Sequence, residues 1–341
     1  LNFVNFKTAK LSVDAEQAGF EYNITKFIKN IIIAYTSVYI FKKLQNSYLS
    51  IYNNIEQLEA DTRLLVNARL IPQTDLINVK AEKHRVEIEL ITSKNSLAIS
   101  YINLLKLMGD NTIETLLFDS IQIPFFIPDF QPEAVKEFVN QSIIQSDSIA
   151  KNALVYQEQL YKQQSAATDV LAAKNEKLNE LALEVKYNYY TFKQGVNFDD
   201  SFIINNNSFP GSSYFISLNY QIPFKNEQAE GNFIVKHEEY KMQNELSEKL
   251  LFDTKKAIEN NAVTLQNRYN NFLLQLENTK LLRKIYQDQI IKFQEKTSTI
   301  LDVIKTHYDY TTSLENSYQL ELEIVDLLFT LKFLRNQMPK N

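Results

Sequence analysis

Apolar residues recur at helical spacing along most of the chain and switch to strict alternation in two short segments. Between Leu76 and Met108, Leu76, Leu90, Leu97 and Leu104 share one heptad position, and Val79, Val86 and Leu107 share its partner. That spacing predicts a helix with a coiled-coil seam. Lys83, Ser93 and Ser100 also fall on seam positions, so the segment fits an ordinary antiparallel helical hairpin as well as one wall of a helical barrel.

The period changes to two in the middle of the chain. Tyr214, Ile216, Leu218, Tyr220, Ile222 and Phe224 occupy alternate positions, with Ser213, Ser217, Asn219 and Gln221 among those between. Upstream, Leu181, Leu183, Val185, Tyr187 and Tyr189 alternate with Ala182, Glu184, Lys186 and Asn188. Each run is about ten residues, the length of a transmembrane β-strand, with one face suited to lipid and the other to water. The asparagine-rich stretch 193–212 between them has the character of an outer barrel loop, and Tyr and Phe near the strand ends suit interfacial anchors. A soluble sandwich hairpin alternates in the same way. A lone hairpin is marginal in water, however, and this one stands between long helical stretches.

Breakers mark out those stretches. With only 5 Gly and 7 Pro, none lies between Gly19 and Pro72, Pro72 and Gly109, Pro132 and Gly195, or Gly231 and Pro339. A helix from Glu227 to Lys296 would span roughly 100 Å at the α-helical rise, beyond the needs of a globular core. The proline-rich segment between Gly109 and Pro132 reads as a compact connector, with Phe118, Phe125, Phe126 and Phe130 placed to pack on helices. These divisions give a first long helical hairpin over 1–109 with its tip near 69–75, and a connector over 110–132. Helices leading to a barrel follow over 133–180, then a β-hairpin over 181–224 with an outer loop at 193–212. A second long helical hairpin covers 225–338, with its tip near 293–302.

Charge adds mainly exclusions. The net charge of -5 with 23% charged residues gives no basic surface for nucleic acid. The absence of cysteine rules out disulfides and thiolate metal sites. The most apolar run, Ile31–Ile40, is interrupted by Tyr, Thr and Ser, which points to strands rather than a helix as any membrane-crossing element. Leu1–Lys10 lacks the pattern of a signal peptide. His84, His237 and His307 show no metal-ligand spacing and read as surface or seam residues. No phosphate loop, nucleophile elbow or Ser/His/Asp set is present, so no enzyme and no cofactor is expected. Glu/Lys-rich stretches such as Glu238–Lys256 read as solvated helix faces.

The chain also repeats itself. Thr74-Asp75-Leu76-Ile77 aligns with Leu301-Asp302-Val303-Ile304, and each precedes a long helix ending in an apolar cluster, INLLKLM from Ile102 and LLFTLKFL from Leu327. In this order the motifs resemble the TolC family of outer-membrane efflux proteins. The stretch from Leu70 through Pro72, Thr74 and Asp75 to Glu82 resembles the first helical tip and the helix after it. Thr299-Ile-Leu-Asp-Val-Ile-Lys resembles the second tip, and Gln221-Ile-Pro-Phe-Lys-Asn resembles the strand end before the second long helix.

The resemblance implies a mainly α fold, with long antiparallel coiled-coil helices forming a periplasmic α-barrel wall and a transmembrane β-hairpin contributing to a trimeric β-barrel. It further implies a homotrimer in the outer membrane of a Gram-negative bacterium, extending into the periplasm. This would be a passive conduit joined to a periplasmic adaptor and an inner-membrane transporter in efflux or type I secretion. Family subunits carry two hairpins and one is found here, so an N-terminal part with the other hairpin and any signal peptide is expected ahead of Leu1. Thr74, Asp75, Asp302 and Lys305 correspond to the tunnel entrance. Arg69, Leu70 and Lys296 correspond to adaptor docking. Tyr214, Ile216, Leu218, Tyr220, Ile222, Val185, Tyr187 and Tyr189 are expected to face lipid. Asp75 and Asp302 suit helix N-caps as well. Three copies of Asp302 around an axis would form a cation-attracting ring. Several family features are altered: Arg69 and Lys296 replace tip glycines, Phe293 and Ser298 replace side chains that close the tunnel, and Lys305 replaces an acid. A soluble coiled-coil scaffold with the hairpin as a dimerisation or capping element is the other reading.

Overall fold

A computed structural model describes residues 2–109, 131–178, 180–193, 208–221 and 226–338. The connector expected over 110–132 falls almost wholly outside them, as do most of the outer loop and Ile222. The elements in order are α1 (Asn2–Asn67), α2 (Gln73–Met108), α3 (Pro132–Ile144), α4 (Ser146–Asn152), α5 (Leu154–Asn175), β1 (Glu180–Lys193), β2 (Ser208–Gln221), α6 (Glu227–Gln294) and α7 (Ile300–Leu334). Long antiparallel helices and one two-stranded antiparallel sheet are thus the whole described architecture.

The helices end where the sequence stops favouring them. Proline occupies the first position of α3, where its missing N–H costs nothing. Gly109 closes α2 in the left-handed region at φ 74. Gly19, by contrast, ends nothing, and α1 runs through it. A Cβ there would lie 3.1 Å from the Glu158 carboxyl carbon, so the missing side chain leaves room for that carboxylate.

The chain divides into two compact units. One comprises residues 1–14 and 159–246, the other 15–158 and 247–341. The first holds the hairpin and helical segments laced by polar contacts. Gln159 donates to the Gln243 side chain at 2.8 Å, Gln163 to Asn244 at 2.6 Å, Thr8 to Asp169 at 3.2 Å and Asn232 to Glu176 at 2.8 Å. Lys177 pairs with Glu230. Its buried apolar side chains are small, Ala173 and Ala229 among them.

The second unit carries the core. Leu44, Tyr48, Ile51, Ile55 and Leu58 of α1 pack with Val79, Val86 and Leu90 of α2, Tyr286 and Phe293 of α6, and Ile300, Val303 and Leu314 of α7. A separate cluster joins Val135 and Val139 of α3 to Ala150, Ile258, Leu265, Tyr269, Ile324 and Leu331. The α2 seam is buried at Leu76, Val79, Val86, Leu90, Leu97 and Leu104, and its serines are satisfied within the helix: Ser93 and Ser100 each donate to the carbonyl three residues back at 2.8 Å. Lys83 stays half-buried by reaching Glu56 and Glu59 of α1 at 3.1 and 3.2 Å.

One expectation about α1 needs correction. By length and composition this helix is apolar enough to cross a membrane, although Ile31–Ile40 is interrupted by polar residues. Part of its apolar surface is used in packing. Ile31, Ala34 and Val38 meet Leu97 and Leu104, while Ile28, Ile32 and Ile33 meet Val325 and Phe329.

Candidate functional site

The residues singled out in the sequence fall at two helical tips and on the hairpin. At the first tip, the Leu70 N–H donates to the Leu65 carbonyl and the Arg69 N–H to the Val66 carbonyl, both at 2.9 Å. This is a Schellman motif, whose penultimate residue must be left-handed. Arg69 accordingly has φ 54. The second tip repeats it. Thr297 N–H donates to Lys292 at 2.8 Å, Lys296 N–H donates to Phe293 at 3.0 Å, and Lys296 has φ 64. Both positions aligned with a family glycine therefore adopt the conformation glycine favours, while bearing long cationic side chains.

Neither aspartate is an N-cap. Pro72 caps α2 with no side-chain hydrogen bond, and Asp75 lies three residues in, where burial raises its pKa. Thr299 caps α7, accepting the Asp302 N–H at 3.2 Å, while the Asp302 carboxylate accepts from the Thr299 N–H at 3.2 Å and its hydroxyl at 2.7 Å. This reciprocal capping box holds Asp302's pKa below the ordinary carboxylate range, with further help from Ser298 and Lys305. The reading of the two acids as N-caps therefore fails at both tips: Asp302 lies three positions in and completes the box begun by Thr299, and Asp75 lies three positions beyond Pro72.

Among the described residues no hydrogen bond joins Thr74 or Asp75 to Asp302 or Lys305. The helix ends bearing the tips meet through Gln294, whose amide donates to Asp61 at 3.5 Å. Phe293 is buried in the core, and Ser298 donates to Gln289 at 2.7 Å. Thr74, Arg69, Lys296 and Lys305 are exposed, and Leu70 retains 52% of its surface.

Beyond the tips, α2 and α7 are joined by a buried ionic cluster that the sequence did not announce. His307, 0% exposed, has Nδ1 2.5 Å from Oε1 of Glu82, which is 6% exposed. Arg85 grips the same carboxylate at 2.6 and 2.9 Å. Since Arg85 can only donate, and Glu82 accepts, Nδ1 carries the proton of the His307–Glu82 bond. Burial pushes Glu82's pKa up, but the Arg85 and His307 hydrogen bonds and charges outweigh it and leave the carboxyl below its usual range. Nε2 of His307 and the hydroxyl of Tyr286 are buried without partners among the described residues, their rings 4.9 Å apart. His307 was read as a surface or seam residue, and it is a seam residue. Its partner lies 225 positions away, which no local pattern reveals.

The hairpin's register confirms the alternation. Leu181 pairs with Tyr220, Leu183 with Leu218, Val185 with Ile216 and Tyr187 with Tyr214, so the alternating apolar residues of both strands share one face. Every one is exposed, and the Tyr187 and Tyr214 rings lie 4.9 Å apart. Tyr189 lies opposite Ser212 on that face. The other face carries Glu184, Lys186, Ser217 and Asn219, together with the apolar Ala182 and Phe215. The strands run past the expected ends, and residues 208–212 pair with 189–193 instead of lying in the loop. Pro210 is compatible because both strands are edges, and an edge tolerates a missing N–H.

No family model and no curated protein matches the sequence. Solved structures do match. The outer-membrane channel OprN superposes with a TM-score of 0.75 at 12% identity, over 98% of this chain and 71% of that one. The CmeC outer membrane channel of Campylobacter jejuni gives 0.75 at 10%, over 98% and 68%. The outer membrane protein VceC from Vibrio cholerae gives 0.74 at 16%, over 98% and 75%. The chain has the fold of these outer-membrane proteins.

Proposed function

We propose that the chain is a subunit of a trimeric outer-membrane exit duct, a passive conduit that receives cargo from an inner-membrane transporter through a periplasmic adaptor. The observation that carries this reading is the hairpin within that fold. Its apolar face is exposed and, among the described residues, both its edges are unpaired, a state that lipid and neighbouring strands relieve and water does not. Apolar side chains exposed in the hairpin's own unit, Phe6, Val13, Ile234, Val235, Met242 and Leu246, suit burial against further copies.

Within this reading Thr74, Asp75, Asp302 and Lys305 line the tunnel entrance, and Arg69, Leu70 and Lys296 meet the adaptor. Val185, Tyr187, Tyr189, Tyr214, Ile216, Leu218 and Tyr220 face lipid. The conduit uses no catalytic group and no cofactor. Planar-bilayer conductance tests it. Purified protein should open water-filled pores, and Asp302→Lys should shift their selectivity from cations toward anions. Absence of any conductance would defeat the channel reading, and unchanged selectivity would remove Asp302 from the lumen.

A further inference from the structure

Two carboxylates in the second unit share one pocket and have no partner in it. Glu89 of α2 and Glu315 of α7 line one pocket of about 160 Å³, and neither forms a hydrogen bond or ion pair among the described residues. Nearby cations are already committed: Arg85 to Glu82, and Lys43 to Glu321 at 3.2 Å. Burial, and then the charge of Glu89, raises the pKa of Glu315, which places the two carboxylates within each other's field.

A third group faces the same space. Tyr48 of α1 is 3% exposed and lines the pocket, and its hydroxyl has no hydrogen-bond partner among the described residues. Burial, then the charges of Glu315 and Glu89, push its pKa up against an opposing pull from Arg85. Thr92, Ser96, Tyr318 and Gln319 add oxygen atoms to the walls. Like charges brought together in a half-buried pocket, beside an unused hydroxyl, repel unless a cation or a proton enters. The volume admits an ion with several waters. A set made only of oxygens, with no imidazole or thiolate, selects a hard cation over a transition metal.

We propose that Glu89, Glu315 and Tyr48 form a binding site for a hard divalent cation of the calcium class, which links α2 to α7. Three acidic or imidazole side chains do not converge anywhere among the described residues, so hydroxyl, amide and water oxygens complete the shell here. Two carboxylates and a wet shell place the affinity near the millimolar range of extracellular calcium modules, about 10⁻⁴–10⁻³ M. The inference stands independently of the channel reading.

Equilibrium dialysis of the detergent-solubilised full chain against calcium chloride provides the test, with Glu89→Gln, Glu315→Gln and Tyr48→Phe alongside. The wild type should bind one more calcium ion per chain than either glutamine variant, and Tyr48→Phe should bind it several-fold more weakly. In chelator, Glu315→Gln should unfold at the same temperature as the wild type or higher, because the repulsion is gone. Equal calcium stoichiometry in wild type and both glutamine variants overturns the proposal. So does a wild type that is stabilised by acid through this pair but gains nothing from calcium, since the pair would then hold a proton.

Discussion

Arg69 and Lys296 hold left-handed conformations that cost an L-residue with a Cβ roughly 1–2 kcal/mol, offset in part by the entropy glycine would lose on folding. Replacing either with glycine should therefore stabilise the protein by about 0.5–1 kcal/mol, seen as a higher denaturant midpoint at unchanged slope. A loss of stability in both variants would show that these side chains make contacts outweighing the strain. Glu82 gives the opposite expectation. Removing it strands Arg85 beside a buried histidine, so Glu82→Ala should cost about 3 kcal/mol in chemical unfolding. Its pKa is lowered in the fold, so its stabilising contribution is present above the unfolded carboxylate value. That contribution is lost as pH falls through the depressed folded value. Wild type should lose stability across that acid window, and Glu82→Ala should lose less there.

At the scale of elements, the parts legible in the sequence are those whose signal is local. The hairpin face was readable because a period of two assigns each side chain to a side, and the register then pairs Val185 with Ile216 as the alternation requires. The α2 seam was readable from Leu76, Leu90, Leu97 and Leu104 for the same reason. Gly19 misled because a glycine that stops a helix and one that admits a neighbour look alike until Glu158 is placed beside it. The strand ends were misread because Pro210 and Gly211 argue for a turn, and only pairing with 190–191 shows that both edges are free. The tips lie between: Asp75 and Asp302 were read as N-caps and lie three positions further in, and Thr299 as cap and the left-handed Arg69 and Lys296 emerge only from backbone geometry. The hairpin's two faces also differ in what they should tolerate. On the face proposed to meet lipid, Ile216→Arg or Leu183→Arg should cost about 2–4 kcal/mol and reduce the membrane-inserted fraction. Ser217→Lys, on the polar face, should leave insertion unchanged. Equal effects of the two would contradict a lipid-facing side.

At the scale of the whole molecule, the hairpin and the helices of its unit present apolar side chains that the single chain does not cover, from Phe6 and Val13 through Leu183 and Ile216 to Met242 and Leu246. The Glu82–His307 cluster and the unpartnered Glu89 and Glu315 belong to the other unit, and they became visible only when residues more than two hundred positions apart were brought onto facing helices. Sequence spacing carries no record of such a pairing, whereas exposure of an amphipathic face is written into every alternate residue. Association with lipid and with further copies of the chain is accordingly the claim on which the account rests. The most direct measurement is membrane fractionation of the full-length protein followed by its mass in detergent. The account predicts recovery in the outer-membrane fraction as a trimer, and recovery in the soluble fraction alone, or as a stable species of any other stoichiometry, would contradict it.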